Sequence, residues 1–493
     1  MSAESPTSCL TGIEGLDHIL SGGLPRNRFY LILGDPGVGK TTLSIQFLLE
    51  GKRCGERTLY ITLSETRDEL VGVANSHGWS LDGIDIIELS ATERHLGESS
   101  ESTLFHPEEV ELNETTRMIL DQVERVQPQR IVLDSLSELR LLAGNALRYR
   151  RQLLGFKHYF TGRGSTVLLL DDGTDLSGDL DAQSIAHGVL SLQNLAPGYG
   201  SERRRLRIQK LRGVNFRGGY HDFLIRRGGI EVFPRLVAAE DRHELHQGQL
   251  STGLPGLDSL LGGGLNAGTS NLLIGPAGAG KSVLATTYAY AAALEGRTVE
   301  IFSFDETRAL FLARAALIGA ELSTYIENDT IHVTQVDPSE ITPGELADRV
   351  RTRVREGVRL VIIDSINGYL AAMPEERHLT LHLRELCAFC SAHSAITLLL
   401  AEQQGLVGQM QMPIDITYLA DTVILLRHFE VLGEIRQAIS VMKKRAGAHE
   451  RFIRELRIDS QGVRIGEPLV EFHGVLSGTP FFHGDASKMI HQR

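Results

Sequence analysis

Short apolar runs alternate with amphipathic stretches along most of the chain. In the N-terminal half the apolar runs read FYLILG, LYITLS, RIVLDS and TVLLLDD, and the segments between them include TTLSIQFLLEGKR and ETTRMILDQVERVQ, whose apolar residues recur at helical spacing. Continuously apolar strands that alternate with helices are typical of a mostly parallel sheet covered on both faces. The later segments LRIQKLRG and FLIRRGGIEVF favour a hairpin. The pattern therefore predicts an α/β fold whose sheet has an antiparallel edge.

The whole pattern occurs twice. TGIEGLD begins at Thr11 and TGLPGLD at Thr252, 241 positions later, and the same offset separates GDPGVGKT from GPAGAGKS and the glutamate of LSET from that of FDET. Ordered matches of this kind indicate two tandem copies of one domain. We predict that residues 1–240 form the first domain and residues 250–493 the second, which ends in a short tail. The polar and charged segment 237–252 is the predicted linker.

Composition narrows the classes of protein that the chain can belong to. Of its 493 residues, 42% are hydrophobic and 23% are charged, which is typical of globular domains rather than of disordered chains. The formal net charge of −12 argues against a protein that coats nucleic acid, so we expect no nucleic-acid partner. The chain has no apolar run long enough to span a membrane and no secretory signal at its N-terminus, so we expect a cytoplasmic protein without membrane association.

The cysteines do not suggest a disulfide framework. Four cysteines in 493 residues suit a reducing compartment. Cys387 and Cys390 form a C-x-x-C motif, but Cys9 and Cys54 are remote from it. We therefore interpret the motif as two small apolar residues about one turn apart on a helix, rather than as half of a zinc site.

The motif G-x-x-x-x-G-K-[ST] occurs at 34–41 and again at 275–282. Each copy follows a predicted strand and opens a predicted helix, where glycines let backbone N–H groups surround a phosphate and the helix dipole adds to the attraction. The motif lysine reaches the β- and γ-phosphates, and the final hydroxyl binds Mg²⁺. The predicted nucleotide-binding residues are Gly34, Asp35, Pro36, Gly37, Val38, Gly39, Lys40, Thr41 and Thr42 in the first copy and Gly275, Pro276, Ala277, Gly278, Ala279, Gly280, Lys281, Ser282 and Val283 in the second.

An aspartate ends a later apolar strand in each copy. Asp134 closes IVLD and Asp364 closes VIID. On the same sheet as a phosphate-binding loop, such a carboxylate can hold Mg²⁺ through water, although a helix cap is the alternative role. Together with Thr41 and Ser282, these aspartates form the two predicted metal sites.

Further carboxylates follow the strand after each phosphate-loop helix. Glu65 and Glu306 stand where a carboxylate can orient water for in-line attack on a γ-phosphate. Asp305 precedes the second glutamate, whereas Ser64 precedes the first, so only the second copy offers a carboxylate pair. We predict catalytic roles for Glu65, Glu306 and Asp305, with a plain acidic helix start as the alternative.

Two basic pairs alternate along late strands. Lys210 with Arg212, and Lys443 with Arg445, have the period of two that places both side chains on one face of a sheet. Each pair lies far along the chain from its own phosphate-binding loop. We predict that each pair contacts the nucleotide of a neighbouring subunit in a homo-oligomer, with a solvated strand edge as the alternative.

These motifs, in this order and in duplicate, resemble the KaiC family of tandem RecA-like ATPases from bacterial and archaeal clock and signalling systems. The resemblance covers about residues 10–470. Single-copy RecA-like proteins share the core without the duplication. The resemblance implies two tandem RecA-like P-loop NTPase domains that each bind ATP and Mg²⁺. It also implies a double-ring hexamer with ATP between adjacent subunits, and regulatory partner proteins.

The resemblance also implies a kinase activity. In the family, the second domain autophosphorylates an adjacent Ser and Thr ahead of a strand that reads D-T-I-I-L-L. The matching stretch here is 416–422, in which Thr417 matches the Ser and Tyr418 stands at the Thr. Thr417 is therefore the predicted phosphoacceptor, with an ordinary turn hydroxyl as the alternative.

The sequence supports one leading hypothesis and leaves two others open. The leading hypothesis is an ATPase and serine/threonine autokinase that acts as a hexameric clock or signalling regulator. The first alternative is a DNA-dependent ATPase of the RecA or DnaB type, which single-stranded DNA would stimulate. The second alternative is a nucleotide-gated scaffold that turns over little ATP.

Overall fold

A computed structural model describes residues 8–89, 107–173, 179–196, 200–238, 248–371, 379–403, 405, 415–431, 433–476 and 481–483. The chain divides into two compact units, Met1–Arg235 and Leu236–Arg493. Most of the predicted linker and the end of the predicted tail lie outside the described residues. Among the residues that are described, no helix is both long and apolar enough to cross a bilayer.

The first unit contains seven described helices and eleven described strands. Its helices are α1 (Glu14–Ile19), α2 (Lys40–Arg53), α3 (Arg67–Ser76), α4 (Pro107–Val126), α5 (Leu136–Ala143), α6 (Ala146–Gly162) and α7 (Asp179–Ile185). Its strands are β1 (Ser8–Cys9), β2 (Leu24–Pro25), β3 (Phe29–Leu33), β4 (Thr58–Thr62), β5 (Asp85–Glu88), β6 (Arg130–Asp134), β7 (Thr166–Asp171), β8 (Gly188–Leu195), β9 (Arg203–Leu211), β10 (His221–Arg226) and β11 (Gly229–Phe233).

The second unit has the same kinds of element, again counted over its described residues. Its helices are α8 (Pro255–Leu260), α9 (Lys281–Leu294), α10 (Arg308–Leu317), α11 (Ser323–Glu327), α12 (Pro343–Arg355), α13 (Ile366–Ala371) and α14 (Leu379–Ala392). Its strands are β12 (Gln249–Leu250), β13 (Leu265–Asn266), β14 (Ser270–Gly275), β15 (Val299–Ser303), β16 (Ile331–Gln335), β17 (Leu360–Asp364), β18 (Ile396–Glu402), β19 (Thr422–Val431), β20 (Glu434–Lys444), β21 (Arg454–Asp459), β22 (Gly462–Pro468), β23 (Phe472–His473) and β24 (Phe481–Phe482).

A nine-stranded sheet organises each unit. The strand order is β11-β10-β9-β8-β3-β7-β6-β4-β5 in the first unit and β16-β15-β17-β18-β14-β19-β20-β21-β22 in the second. Neighbours from β8 to β5 pair in parallel, and the pairs between β8 and β11 are antiparallel. The second sheet has the same arrangement. The predicted α/β fold class, with its antiparallel edge, is therefore confirmed.

Strand β3 is buried on both faces of the first sheet, and all five of its residues are apolar or aromatic. Tyr30 and Ile32 pack with the α2 residue Phe47 on one face. Leu31, between them, packs with Phe156 of α6 on the other face. Successive side chains of a strand point to opposite faces, so a strand buried on both sides must be apolar throughout. The helices that follow β3 and precede β7 supply the two covers.

The C-x-x-C motif lies on α14, as predicted. Cys387 and Cys390 are both buried and belong to the same apolar cluster of the second unit. Burial raises the pKa of the Cys390 thiol to about 12 and that of Cys387 still further above its usual value. Both cysteines therefore serve as small apolar residues of the core.

The parallel strands bring the predicted site residues to one edge of each sheet. In the first unit β3, β4, β6 and β7 run side by side, and each is followed by a residue or loop with candidate chemistry. Ligands of open α/β sheets bind outside the carboxyl ends of the strands. This edge is therefore where the candidate sites are found.

Candidate functional site

The first phosphate-binding loop connects β3 to α2. Gly37 and Gly39 have φ angles of +79° and +113°, in the left-handed region that favours glycine. Lys40, the first residue of α2, turns back over the loop and donates from Nζ to the carbonyl oxygens of Gly34 (2.6 Å) and Asp35 (3.2 Å). The loop therefore curls around its lysine, and the N–H groups at the start of α2 are available to an anion.

The second loop, between β14 and α9, repeats this geometry. Gly278 and Gly280 have φ angles of +73° and +96°. Lys281 donates from Nζ to the carbonyl oxygens of Gly275 (3.0 Å) and Pro276 (2.8 Å). Burial lowers the pKa of Lys281, so an anionic phosphate beside it would favour the charged amine. Both predicted loops have the conformation that their motif requires.

An acidic residue that the sequence analysis did not single out contacts the first lysine. Asp172 follows β7, and its Oδ1 lies 2.8 Å from Lys40 Nζ. Its Oδ2 accepts a hydrogen bond of 3.0 Å from the Ser137 hydroxyl. In the second half Glu402 stands at the corresponding place, beside Gly275 in the strand register. In the sequence, the signal that could have indicated Asp172 is the pair of acids at the end of the apolar run TVLLLDD.

Of the predicted metal ligands, Asp134 and Asp364 end β6 and β17, and Thr41 and Ser282 are the second residues of α2 and α9. In the second half, burial raises the pKa of Asp364, and interaction with the Ser282 hydroxyl opposes part of that rise. In the first half, Asp134 Oδ2 instead accepts a hydrogen bond of 2.6 Å from the Tyr60 hydroxyl, and burial raises the pKa of this aspartate too. The Thr41 hydroxyl there lies near Glu65, where it partly opposes the rise that burial causes in the pKa of this glutamate. The peptide bond that follows each aspartate is cis.

These donors suit Mg²⁺ that arrives with a nucleotide. Among the described residues, no group of three or more His, Cys, Asp or Glu side chains could hold a metal ion by itself. Mg²⁺ prefers oxygen ligands and is usually held by one or two protein oxygens together with substrate phosphates. One hydroxyl and one carboxylate beside each loop fit that requirement.

Glu65 lies close to Thr41, Lys40 and Asp134 of the first half. Burial, and then the charge of Asp134, raise the pKa of Glu65 to about 7. Its Oε2 atom is buried and has no hydrogen-bond partner among the described atoms. The helix α3 is capped by Thr66, whose hydroxyl accepts a hydrogen bond from Glu69 N. Glu65 therefore precedes the cap and is not itself the capping acid.

Glu306 is held differently in the second half. Arg314, two turns into α10, donates from Nη2 to Glu306 Oε2 (2.8 Å) and from Nε to Oε1 (3.2 Å). The preceding carboxylate of Asp305 accepts a hydrogen bond of 2.6 Å from the Ser365 hydroxyl. The structure thus brings both predicted catalytic acids next to the strand end that carries Asp364. Sequence analysis missed Arg314, which a motif search does not mark.

The first basic pair contacts the chain segment that precedes β8. Lys210 Nζ donates to the carbonyl oxygens of Gln183 (2.6 Å) and Ser184 (3.4 Å), and Arg212 Nη2 also donates to Ser184 (3.1 Å). In the strand register Lys210 stands beside Val189. Both side chains of the pair therefore reach the same segment.

The second basic pair contacts the predicted phosphoacceptor segment. Lys443 Nζ donates to the carbonyl oxygens of Thr417 (3.1 Å) and Ala420 (2.7 Å). Arg445 donates to the carbonyl oxygen of Tyr418 (3.0 Å) and pairs with Asp421 (3.2 Å). The pair and the predicted phosphoacceptor therefore occupy one site at the start of β19.

Thr417 is partly exposed in a turn. Its hydroxyl donates a hydrogen bond of 2.6 Å to Asp415 Oδ1, and its backbone N–H donates to the same oxygen. The Thr417 hydroxyl is thus oriented by a neighbouring carboxylate of its own chain. Its role as phosphoacceptor stays a prediction.

Comparison with known proteins identifies one family over nearly the whole chain. The family model described as "ATPase: KaiC" matches residues 9–237 and again residues 250–470. The circadian clock oscillator protein KaiC of Acaryochloris marina is 26% identical over 485 residues, which cover 96% of this chain and 91% of the relative. The KaiC of Synechococcus elongatus is 25% identical over 481 residues, 95% and 91% of the two chains. The circadian clock protein KaiC2 of Synechocystis is 26% identical over 478 residues, 96% and 83%.

The two matched segments coincide with the two copies of the repeated site. The duplicated phosphate-binding loops, the strand-end aspartates and the sheets that carry them are the features expected of an ATPase with two nucleotide-binding domains. With more than half of its residues matched by the family model, the chain belongs to the KaiC ATPase family.

Proposed function

We propose that the chain hydrolyses Mg-ATP in both halves and that the second half also phosphorylates Thr417. In this proposal residues 1–240 form the first ATPase domain, and residues 250–493 form the second domain with the kinase activity. The active form is a homo-oligomer, a hexamer, that signals through regulatory partner proteins. Its clock role is inferred from relatives whose names describe circadian clock proteins.

One observation carries the proposal: the same constellation is built twice. In each half a buried lysine, Lys40 or Lys281, hydrogen-bonds back onto the glycine-containing loop that follows the central strand. An aspartate ends the next-but-one strand of the sheet, and a glutamate follows the strand beyond it. Two sets of residues in one geometry support one chemistry, the transfer of a γ-phosphoryl group.

The protein's part in hydrolysis is to hold the nucleotide and to orient a water molecule. The loop N–H groups and the lysine bind the phosphates, and Thr41 with Asp134, or Ser282 with Asp364, would hold Mg²⁺. The ion would supply positive charge that offsets the negative charge on the phosphate oxygens. The glutamate of each site accepts a proton from the attacking water as the bond from the γ-phosphorus to the bridging oxygen breaks.

The strand register supports contact of the basic pairs with a neighbouring nucleotide. Lys210 pairs with Val189, which lies beside Leu31 in the middle of β3. The phosphate-binding loop begins at Gly34, three residues further on, which is about 10 Å at the rise of a β-strand. The loop then continues away from the pair, so an adjacent subunit is the better placed partner for these cations.

The kinase proposal rests on the position of Thr417. The turn that carries it is bound by Lys443 and Arg445, the pair that we assign to the neighbouring subunit's nucleotide. A hydroxyl in this place faces the same nucleotide. In the transfer, a bond forms between Thr417 Oγ1 and the γ-phosphorus, the bond to the ADP oxygen breaks, and the hydroxyl proton passes to the neighbour's Glu306.

The test uses the full-length protein with Mg-ATP. Phosphate release measures hydrolysis, and intact mass followed by peptide mapping measures phosphorylation. We expect Lys40→Ala and Lys281→Ala each to reduce turnover by about tenfold or more at their own site, and the double variant to lose nucleotide binding. Thr417→Ala should abolish labelling and leave hydrolysis in the first half intact.

Two results would contradict the proposal. A double lysine variant that still binds ATP as tightly as the parent would remove the nucleotide sites. Labelling that stays at background in the parent would remove the kinase activity and leave the ATPase. The predicted ring is tested by size measurement with and without Mg-ATP, where a strictly monomeric protein would contradict contact between subunits.

A further inference from the structure

Arg314 links the second half's glutamate to the helix that begins at the phosphate-binding loop. Two of its nitrogens bind the two oxygens of Glu306, at 2.8 and 3.2 Å, and its Nη1 donates to the Thr286 hydroxyl at 3.1 Å. Thr286 is fully buried on α9, and its own hydroxyl donates to the carbonyl oxygen of Ser282 at 2.8 Å. The guanidinium is therefore fixed on one side by a buried hydroxyl and on the other side holds the carboxylate with two hydrogen bonds.

The first half has apolar residues at both corresponding positions. At the offset of 241, Ile45 corresponds to Thr286 and Val73 corresponds to Arg314. Ile45 is buried in the apolar cluster of the first unit, and Val73 packs against that cluster. The two halves thus differ at both positions, which are apolar in the first half and hydrogen-bonded to each other in the second. Only the second half has the pair that reaches the glutamate.

We propose that Arg314 is a positioning residue that holds Glu306 in its working orientation, an inference that rests on the function proposed above. Bidentate guanidinium–carboxylate pairs are both directional and strong, because two parallel N–H···O bonds form at once. The positive charge also offsets the repulsion that Asp305 and Asp364 exert on a third carboxylate nearby. Turnover in the second half then depends on residue 314, whereas turnover in the first half proceeds without such a contact.

The test replaces Arg314 and Thr286 with the residue types at the corresponding positions of the first half. Arg314→Val with Thr286→Ile is compared with its parent in a Lys40→Ala background, so that hydrolysis reports the second half. We expect kcat to fall about tenfold to a hundredfold, because a small misplacement of a catalytic group has effects of this size. The affinity for Mg-ATP should stay within about threefold of the parent, since the loop contacts are untouched. Arg314→Lys, which keeps the charge but not the paired hydrogen bonds, should recover only part of kcat.

Two controls separate positioning from a general loss of structure. Arg349→Ala removes another ion pair of the second unit, in which Arg349 Nη2 lies 2.7 Å from Glu345 on α12, and kcat should not change. In a Lys281→Ala background, where the first half carries the turnover, the Arg314→Val and Thr286→Ile changes should have no effect.

The outcomes distinguish this inference from the function on which it rests. A Lys40→Ala parent without any ATP hydrolysis would overturn the proposed activity of the second half and this inference with it. An active parent whose kcat is unchanged or raised by the Val and Ile substitutions would overturn the inference alone. A fall in kcat that comes with an equal loss of Mg-ATP affinity would also overturn it, because Arg314 would then support the whole site rather than one carboxylate.

Discussion

At the scale of single residues, the same glutamate meets two environments. In the first half Glu65 is partly buried beside Asp134. Burial, together with the charge of Asp134, raises the pKa of Glu65 to about 7. In the second half Glu306 is bound by Arg314 through two hydrogen bonds. A carboxylate that is not paired with a cation costs free energy when it is charged in a partly buried site, whereas a bidentate arginine stabilises the charged form. The charged carboxylate of Glu65 should therefore lower the free energy of unfolding, and that of Glu306 should raise it.

Replacement of Glu65 should make the nucleotide-free protein more stable at alkaline pH. The carboxyl has its usual pKa, near 4.5, in the unfolded chain and a pKa of about 7 in the folded protein. Between those values the unfolded chain binds fewer protons, so stability falls as the pH rises. Glu65→Gln cannot ionise, and its thermal midpoint should rise relative to the parent between about pH 5 and about pH 8. Thermal unfolding without nucleotide at the two pH values measures the difference.

Glu306→Gln is the matched control for that measurement. Because Arg314 pairs with the charged carboxylate, the amide should lower the thermal midpoint instead of raising it. A Glu65→Gln variant whose midpoint moves with pH in parallel with the parent would contradict the assigned environment of Glu65.

Sequence alone predicted the residues of contiguous motifs and missed their partners. The phosphate-binding loops are recognisable because the glycines, the lysine and the hydroxyl stand next to one another in the chain. Asp172 follows β7, the strand beside β3, and meets Lys40 there, and Tyr60 meets Asp134 from the neighbouring strand, so each contact depends on strand order. Arg314 follows Glu306 by 8 residues in the sequence, but only the structure shows that the arginine side chain turns back to that carboxylate.

At the scale of elements, strand order decides which residues meet. The alternation of apolar runs predicted an α/β fold with an antiparallel edge, and both are present. It did not predict that the eighth strand lies beside the third, which places Lys210 level with the middle of the central strand. Periodicity describes each strand's own faces but carries no information on its neighbours. The register therefore had to come from the structure.

The first strand after α4 depends on one buried cation. Arg130, the first residue of β6, is fully buried, and its Nη1 donates to the carbonyl oxygens of Leu10 (2.6 Å) and Phe47 (2.7 Å). It also forms an ion pair with Glu56. Arg130→Met would leave two carbonyls and a carboxylate without this donor, and we expect the first unit to lose about 3 kcal/mol of stability. Hydrogen exchange of the first-unit amides, read by mass spectrometry on the full chain, measures the loss.

An exposed pair in the same unit provides the comparison. Arg226 and Glu231 lie 2.9 Å apart and are both about half exposed, so Arg226→Met should cost less than about 1 kcal/mol. If the two methionine variants exchange their amides at the same rate, Arg130 does not have the structural role that its burial indicates. Both substitutions lie in the first unit, and the second unit has Leu360 at the position of Arg130. The amides of the second unit should therefore keep their exchange rates.

At the scale of the whole molecule, the duplication allows contact between subunits to be tested directly. In our proposal a complete second site needs the phosphate-binding loop of one chain and the pair Lys443 and Arg445 of its neighbour. A Lys281→Ala chain keeps the basic pair and lacks a working loop, and a chain with Lys443→Ala and Arg445→Ala keeps the loop and lacks the pair. Neither chain alone can form a complete second site, because every subunit carries the same defect.

Mixed oligomers of these two chains should regain activity. In an equal mixture, half of the loops are intact and half of their neighbours offer an intact pair, so roughly a quarter of the second sites should be complete. Turnover by the second half should therefore rise to roughly a quarter of the parent value after the chains are mixed and reassembled with Mg-ATP. The first half stays intact in both chains, and its contribution is subtracted with the Lys281→Ala protein measured alone. If the basic pair acted within its own chain, no mixed site would be complete, and the mixture would hydrolyse ATP no faster than the average of its two components.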